Sequence, residues 1–259
     1  MNDYHMYDDY ENFYHKIENS HAFTQYCEAV YGIDFSQDGF ADLEQITHLL
    51  AALNLSSKAK MLEIGCGNGK FCAYIREQTG TEVYGFDYSP SAITSAKKRL
   101  EGQAKHFEVA IIDHKDYPDD LFDAIVSVDT LYFTDNLYAL IKRIKRWLKP
   151  KGIFAAYYMD DNREPDETQL AEALRKNELS YEVVDYSEHH YRLMRRKHDT
   201  VLAMRSVLEN DGLAEHIQRM LRESFDETVT LDSFRNKHCG RRYLYVVHKK
   251  TKTEESENE

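Results

Sequence analysis

Acidic residues stand at the ends of three predicted strands. Asp87 ends the apolar run at 82–87, Asp113 follows the run at 105–112, and Asp129 follows the run at 122–128. A carboxylate can accept two hydrogen bonds at once, which suits the paired hydroxyls of a ribose. Because the carboxyl ends of parallel strands meet at one edge of a sheet, these acids are expected to lie close together. The pattern predicts a nucleoside site in outline.

A glycine-rich turn precedes the first of these acids. An apolar strand at 60–64 runs into Gly65, Gly67 and Gly69, and an amphipathic stretch begins at Lys70. This arrangement lets the backbone pass close to a ligand and points helix N–H groups toward it. A dinucleotide fingerprint needs its third glycine where this chain has Lys70. A nicotinamide-dependent dehydrogenase is therefore only the runner-up among enzymes.

The elements that must position these residues alternate between strand and helix. Such βα repeats predict an α/β fold with a doubly wound, mostly parallel sheet. The strands are predicted at 60–64, 82–87, 105–112, 122–128, 152–159, 180–186 and 241–249, and the helices of the core at 69–79, 90–101, 135–148 and 166–178. The domain prediction is an N-terminal helical lid segment at 1–57, a core at 58–186, a helical insertion at 187–236, a closing strand at 237–250 and a disordered acidic tail at 251–259.

Composition excludes several classes of protein. The 259 residues carry a formal net charge of −12, which disfavours a general nucleic-acid or anionic-membrane binder. No apolar run approaches the roughly 20 residues that span a bilayer, and the N-terminus is too polar for a signal peptide. The four cysteines form no CxxC pair and no metal-ligand spacing is present, so we expect free thiols, no metal and a cytoplasmic location.

Four motifs in order resemble those of the class I S-adenosylmethionine-dependent methyltransferases. They are Leu62-Glu63-Ile64-Gly65-Cys66-Gly67-Asn68-Gly69, Gly85-Phe86-Asp87-Tyr88-Ser89, Phe122-Asp123-Ala124-Ile125 and Leu148-Lys149-Pro150-Lys151-Gly152. The resemblance implies a Rossmann-like sheet of seven strands with the last one antiparallel. It also implies S-adenosylmethionine as cofactor and S-adenosylhomocysteine as product.

The resemblance implies roles for residues on the methionine side of the cofactor. Glu63 would contact the methionine amino group, directly or through water. The backbone of Gly65, Cys66 and Gly67 would pass beneath the methionine and the ribose.

It also implies roles on the nucleoside side. Asp87 would hold the ribose hydroxyls and Tyr88 would pack against the adenine, with Ser89 beside them or acting as a helix N-cap. Asp113 would accept a hydrogen bond from the adenine amine, with His114 adjacent. The alternative for Asp113 is an ordinary acidic loop residue, and His114 is more typical of a solvated loop histidine.

Methyl transfer needs mainly alignment, and a base only where the acceptor must lose a proton. Val128 and Asp129 would line the sulfonium end of the site. The candidate bases are Asp129, His15, His5 and Tyr132. Asp129 could alternatively serve as a structural cap.

Aromatic residues outside the core predict a lid over the acceptor. Tyr10, Tyr14, Tyr31, Phe40 and Tyr132 are expected to line the acceptor pocket, although the tyrosines of the first helix could simply pack. By the resemblance, the N-terminal helices and the insertion would both cover the carboxyl edge of the sheet.

The acceptor is predicted to be a small molecule methylated at nitrogen or oxygen. One alternative is a transfer-RNA or protein substrate, and another is a non-catalytic S-adenosylmethionine sensor that contacts a partner protein. The insertion carries a basic run at 189–198, which could be a solvated helix face, a contact for an anionic acceptor or a local RNA contact.

Overall fold

The structure is a computed structural model that describes residues 4–36, 39–160, 163–237 and 240–250, without the side chains of 4–8 and 237. Its centre is one seven-stranded sheet. The strands are β1 Lys60–Ile64, β2 Glu82–Asp87, β3 Phe107–Val109, β4 Phe122–Val128, β5 Leu148–Met159, β6 Tyr181–Asp185 and β7 Arg242–His248. Their order is β3-β2-β1-β4-β5-β7-β6, with β7 antiparallel to both neighbours. The predicted α/β fold class is confirmed.

The strand order reverses between β1 and β4, which are hydrogen-bonded neighbours in the sheet. Connections from β1 run outward to β2 and β3, while β4 leads to β5 on the other side. Loops therefore diverge at the carboxyl ends of β1 and β4 and leave a crevice there, which is where open α/β sheets bind ligands.

Ten α-helices lie within the described residues. They are α1 Tyr4–Ile17, α2 His21–Tyr31, α3 Leu43–Leu53, α4 Lys70–Thr79, α5 Pro90–Arg99, α6 Leu137–Trp147, α7 Gln169–Lys176, α8 Ser187–Asn210, α9 Ala214–Arg222 and α10 Leu231–Lys237. Side-chain caps start several of them: Asp42 forms a capping box with Gln45 before α3, and Ser89 caps α5 ahead of Pro90. Within this part of the chain, no helix is both long and apolar enough to cross a membrane.

Apolar side chains cover both faces of the sheet. Helices α6 and α7 pack on one face, where Ile144 and Trp147 are fully buried against β4 and β5. Helices α3, α4 and α5 pack on the other face, through residues such as Leu49 and Ile75. Burial on both faces explains why β1 and β4 are apolar runs without alternation.

A third apolar cluster joins the two chain segments outside the core. It consists mainly of residues from α1, α2, α8 and α9, including Phe13, Val30, Met194 and Ile217. The predicted boundary at residue 57 stays a prediction, but the packing places α3 with the sheet rather than with α1 and α2. The tail at 251–259 lies outside the described residues.

Candidate functional site

The turn after β1 brings bare backbone into the crevice. Gly65 and Gly67 have φ values of 72° and 50°, a region that glycine occupies without strain. A Cβ on Gly65 would collide with the side chain of Thr130, and one on Gly67 would lie 2.5 Å from the hydroxyl of Tyr14. Because the glycines have no side chains, Thr130 and Tyr14 approach the peptide groups of the turn closely, and these peptide groups line the crevice.

Asp87 lies beside this turn, at the end of β2. The side chain is buried, and its two oxygens accept hydrogen bonds from the backbone N–H groups of Gly67 at 2.9 Å and Ser89 at 3.0 Å. Burial raises the pKa of Asp87 to about 6, although these N–H groups favour the charged form. A carboxylate offers about four acceptor sites, so each oxygen keeps capacity for a ligand hydroxyl.

Glu63, in β1, is the second buried carboxyl of the site. It is 5% exposed and accepts a hydrogen bond from the thiol of Cys72, with Sγ 3.0 Å from Oε2. Burial raises the pKa of Glu63 to about 8, and the nearby charge of Asp87 adds to the shift. Such a carboxyl favours a cationic partner, which would restore its charged form.

Both carboxyls face one cavity at the switch point. Its atom-free volume is about 1070 Å³, counting its open mouth, a size suited to a small-molecule ligand. The lining comes from the sheet edge, the glycine turn, α1 and the segment before α3. It consists of Tyr10, Tyr14, Phe35, Ser36, Gly39, Ala41, Ile46, Glu63, Gly65, Cys66, Gly67, Asn68, Phe71, Phe86, Asp87, Tyr88, Ala110, Ile111, Ile112, Val128, Asp129, Thr130 and Phe133.

Aromatic rings and apolar residues form the wall nearest Asp87. The ring of Tyr10 meets those of Tyr88 and Phe133 edge to face, with centroids 6.3 and 5.8 Å apart. The segment 110–112 lines the same cavity. A flat aromatic ligand group would be held there by apolar contact.

Asp129, at the end of β4, is held in an ion pair. The two guanidinium nitrogens of Arg242 donate to its two oxygens, and the backbone N–H of Phe40 adds a third hydrogen bond at 2.9 Å. Asp129 has a φ of 56°, an uncommon backbone conformation outside glycine that often occurs at functional sites. Arg242 is fully buried, and Asp129 raises the pKa of its guanidinium above the usual value despite that burial. These three hydrogen bonds fix the Asp129 carboxylate in position.

Two residues predicted to contact adenine lie outside the cavity lining. The carboxylate of Asp113 accepts hydrogen bonds from the Thr134 hydroxyl and from the backbone N–H of Asp135 at 2.9 Å. His114 is exposed. Asp113 therefore stabilises the loop after β4, and the apolar segment just before it reaches the cavity instead.

Ser89 is also outside the lining. Its hydroxyl caps α5 by accepting from the Ala92 N–H at 3.0 Å, and it donates to Glu11 of α1. Glu11 further accepts hydrogen bonds from the hydroxyl and the N–H of Ser91. The helix N-terminus at Ser89 thus binds a carboxylate from α1.

Two candidate bases do not reach the cavity. His15 is exposed, because the buried face of α1 is formed by Phe13, Tyr14 and Ile17. The side chain of Tyr132 is 41% exposed at the protein surface, and its hydroxyl accepts from the N–H of Met159. Burial of that hydroxyl and the charge of Asp129 raise the pKa of Tyr132 well above its usual range. The side chain of His5 lies outside the described residues.

The predicted acceptor-pocket residues divide into two groups. Tyr10 and Tyr14 line the cavity, whereas Tyr31, Phe40 and Tyr132 do not. Tyr31 is buried in the third apolar cluster, where its hydroxyl donates to the carbonyl of Gly39 at 3.2 Å. Phe40 turns its ring toward α8 and β7, where it lies 5.3 Å from the ring of His190.

Sequence reasoning missed several residues of the site. Phe35, Ser36 and Gly39 enter the cavity from a segment with no recognisable motif. The position of Arg242 could have been predicted from the sequence. A last strand that runs antiparallel must begin at the sheet edge where the parallel strands end, and Arg242 is its first residue. Its register partner Met159 is the final residue of β5.

The basic run of α8 is largely engaged with the protein. His189 and Arg196 bond to the carboxylate of Asp42 at 2.8 and 3.0 Å, which ties α8 to the start of α3. His190 and Lys197 are buried, at 3% and 1% exposure. The run is therefore neither a fully solvated face nor a continuous basic surface.

Fold and site together define the class of protein. The sheet is doubly wound, and its glycine turn and the buried acid at the end of β2 both face the switch-point crevice. This combination is typical of nucleoside-binding α/β proteins. Across the residues that the structure describes, no three His, Cys, Asp or Glu side chains are grouped as metal ligands.

Comparison with known proteins narrows the class. Residues 62–156 match the family model described as a methyltransferase domain. Phosphoethanolamine N-methyltransferase 3 from Arabidopsis thaliana is 36% identical over 127 residues, which are 48% of this chain and 26% of the relative. The phosphoethanolamine N-methyltransferase of Plasmodium falciparum is 32% identical over 128 residues, 48% of this chain and 47% of the relative. The chain thus matches between a quarter and a half of the length of these relatives.

Solved structures agree on the fold. Phosphoethanolamine N-methyltransferase 2 from Haemonchus contortus, in complex with phosphomonomethylethanolamine and S-adenosylhomocysteine, has a TM-score of 0.64 at 17% identity, over 93% of this chain and 60% of the other. A methyltransferase from Geobacter sulfurreducens in complex with S-adenosylhomocysteine has a TM-score of 0.59 at 18% identity, over 86% of this chain and 97% of the other. Residues 62–156 are thus similar to methyltransferase domains, and the chain shares the fold of these methyltransferase structures.

Proposed function

We propose that this chain is a methyltransferase that transfers the methyl group of S-adenosylmethionine to a nitrogen or oxygen of a small molecule and releases S-adenosylhomocysteine. The observation that carries the proposal is the pair of buried carboxyls, Glu63 and Asp87, on adjacent strands at one cavity floored by a glycine turn. Neither acid has a salt-bridge partner among the described residues, so both suit a ligand with an ammonium group and hydroxyls.

The cavity residues fit the cofactor in both parts. Asp87 would accept from the ribose hydroxyls, and Glu63 would face the amino group, directly or through water. The backbone at Gly65, Cys66 and Gly67 would lie beneath the cofactor, in space that a Cβ would fill. Tyr88 and the segment 110–112 would flank the adenine. The adenine contact that the resemblance implied for Asp113 is thus assigned to these residues instead.

When bound, S-adenosylmethionine supplies a methyl group already activated by a sulfonium centre. What the chain adds is alignment and exclusion of water. Val128, Asp129 and Thr130 line the cavity at the end of β4, beside the glycine turn. Asp129 is fixed there by Arg242, so its proposed role is to hold the acceptor rather than to remove a proton.

The lid is part of the same proposal. Tyr10 and Tyr14 of α1 line the cavity, and α1 packs with α2, α8 and α9 in one apolar cluster. We assign the lid to α1 and α2 together with the insertion at 187–236, and the core to the sheet with α3 to α7. Removal of residues 1–19 should then abolish turnover and leave the sheet folded. Retained turnover would refute the lid.

A small acceptor fits the surroundings better than RNA does. The phosphoethanolamine N-methyltransferases named above make phosphoethanolamine the first acceptor to test. The basic run that could have contacted RNA is engaged by Asp42 or buried. A cytoplasmic location belongs to the same proposal, and the buried free thiols of Cys27, Cys66 and Cys72 support it.

Calorimetric titration with S-adenosylmethionine and S-adenosylhomocysteine tests the cofactor site. Asp87→Ala should weaken binding by about 30-fold, since hydrogen bonds to a charged group contribute about 2 kcal/mol. The matched control is Asp113→Ala, an acid after the next strand that lies outside the cavity, and it should bind like the wild type. Failure of the wild type to bind either nucleoside would overturn the proposal.

A turnover assay separates an enzyme from a sensor. S-adenosylhomocysteine should accumulate when the protein is mixed with S-adenosylmethionine and an acceptor such as phosphoethanolamine or ethanolamine. Tight cofactor binding without product, across a broad panel of small amines and alcohols, would favour the non-catalytic sensor.

A further inference from the structure

Three basic side chains surround one aromatic ring next to the cavity. The Lys197 ammonium lies 5.2 Å from the centroid of the Phe40 ring, and the Arg242 guanidinium carbon lies 5.9 Å from it. The His190 ring centroid is 5.3 Å away. We call His190, Lys197 and Arg242 the basic cluster. Two of its members come from α8 and one from the start of β7.

Each member of the basic cluster is deeply buried and has an unsatisfied nitrogen. Exposure is 3% for His190, 1% for Lys197 and 0% for Arg242. Within the part of the chain that the structure describes, His190 Nδ1, Lys197 Nζ and Arg242 Nε have no hydrogen-bond partner. Buried polar atoms in folded proteins normally form hydrogen bonds, so three nitrogens without one around a single ring indicate a place for a ligand with acceptor oxygens.

Acidic residues pair with both cations of the basic cluster, but they do not use all of its hydrogen-bonding nitrogens. Arg242 pairs with Asp129, and the Lys197 ammonium lies 3.5 Å from Glu223. Burial lowers the pKa of His190 well below its usual value, and the positive charges of Arg242 and Lys197 lower it further. The imidazole is therefore neutral, and a ligand oxygen among the three side chains would accept hydrogen bonds from nitrogens that Asp129 and Glu223 leave unused.

The basic cluster is one residue away from the cavity. Asp129 lines the cavity and accepts hydrogen bonds from both Arg242 and the N–H of Phe40. Gly39, next to Phe40 in the chain, also lines the cavity. A ligand that extends from the methyl-transfer end of the site past Asp129 would meet Phe40 and then the basic cluster.

We propose that the basic cluster is the acceptor's anion subsite, so that the substrate is a small amine carrying a phosphate or carboxylate group. The amine would lie against Asp129, and the acid group would lie among His190, Lys197 and Arg242. Phe40 separates the two ends and would contact the carbon chain between them. This inference rests on the proposed function, because the acceptor must reach a bound methyl donor.

The test is calorimetric titration of the protein saturated with S-adenosylhomocysteine. The probes are inorganic phosphate and acetate, with sodium chloride at matched ionic strength as the blank. The wild type should bind at least one of the two probes, and the preferred probe identifies the acid group of the acceptor. Lys197→Met, which keeps the buried stem but removes the charge, should weaken that binding by about tenfold.

The matched control is Arg205→Met, an exposed residue of α8 that pairs with Glu209 in the same helix. It should bind the anion like the wild type. Both variants should keep their affinity for S-adenosylhomocysteine, which shows that they are folded. If Lys197→Met does not fold, the ring signals of His190 in the wild-type NMR spectrum should still shift with the bound anion and not with chloride.

The outcomes separate the two proposals. If S-adenosylhomocysteine binds but neither phosphate nor acetate does, the anion subsite is wrong and the proposed methyltransferase function stands. Anion binding that Lys197→Met leaves unchanged also overturns the subsite. If the wild type does not bind S-adenosylhomocysteine, the proposed function fails first.

Discussion

At the scale of single residues, Glu63 couples ligand binding to a proton. Burial raises the pKa of this carboxyl to about 8, so in the free protein at pH 7 it is mainly protonated. A ligand ammonium group placed beside it would favour the charged form and lower that pKa. Binding of the cofactor should then release a proton, and affinity should rise between pH 6.5 and pH 8.

Calorimetry at pH 7 in two buffers with different ionisation enthalpies measures this proton. Wild-type protein should release a substantial fraction of one proton on binding S-adenosylhomocysteine. Glu63→Gln should lack this release, because the amide has no proton to lose. The substituted amide keeps the size of the side chain and removes its titration. Equal proton release from the two would exclude Glu63 as the partner of the amino group.

The sequence located some residues of the site better than others, for physical reasons. Asp87 and Glu63 were predictable because their places at strand ends leave little choice of direction. Asp113 occupies an equivalent place in the chain, but β3 ends at Val109 and the loop beyond it has other hydrogen-bond donors nearby. Arg242 is far from the motifs in sequence, and only the antiparallel pairing of β7 brings it to Asp129.

At the scale of elements, three acids fasten the outer helices to the core. Glu11 of α1 binds the start of α5, and Asp34, after α2, pairs with Lys70 at the start of α4. Asp42, ahead of α3, binds His189 and Arg196 of α8. The contact of Glu11 is at a helix N-terminus, where the exposed N–H groups and the helix dipole favour a carboxylate.

We expect Glu11→Ala to loosen the lid and leave the sheet intact. The variant loses the hydrogen bonds to Ser89 and Ser91, which hold α1 over the cavity. Dissociation of S-adenosylhomocysteine, followed by stopped flow, should become about tenfold faster, as expected for the loss of a charge-assisted contact of roughly 1.5 kcal/mol.

Asp9→Ala is the control for this experiment, because Asp9 is an exposed acid on the same helix. It should leave the dissociation rate unchanged. If Glu11→Ala also dissociates at the wild-type rate, the contact at α5 does not hold the lid closed.

The ends of the strands could be predicted from the sequence where the strand is buried on both faces of the sheet. Strands β1, β2 and β4 were predicted to the residue because apolar runs bounded by glycine or acid admit few alternatives. Strand β3 is only Phe107–Val109, since residues 110–112 leave the sheet to line the cavity. Strand β5 begins at Leu148, four residues before the predicted start, because Leu148 pairs with Phe122.

At the scale of the whole molecule, burial of titratable groups makes stability depend on pH in two opposite ways. The pKa of His216 is lowered to about 3, mainly by burial, and that of His190 is also lowered. In the unfolded chain, histidine binds a proton below about pH 6.5, whereas these two buried residues stay neutral. Their contribution to stability is therefore complete above that pH and is lost as the pH falls.

Glu63 acts in the opposite direction. Its folded pKa of about 8 lies above the unfolded value, so the native state keeps a proton that the unfolded chain releases. Its contribution is complete at low pH and is lost as the pH rises toward 8. Asp87, with a pKa raised to about 6, behaves in the same way but only up to about that pH.

The ligand-free protein should therefore be most stable near pH 6.5 and lose stability between pH 7 and pH 8. In that interval unfolded histidine is mostly neutral and Asp87 is mostly ionised in both states, so Glu63 makes the largest contribution. A smaller one comes from the buried thiols of Cys66 and Cys72, whose pKa is raised by burial. One proton corresponds to a slope of about 1.4 kcal/mol per pH unit in the free energy of unfolding. Urea denaturation at several pH values measures the slope, and Glu63→Gln should flatten it, because a neutral amide has no proton to lose. A slope that persists in Glu63→Gln would mean that another buried group carries the titration.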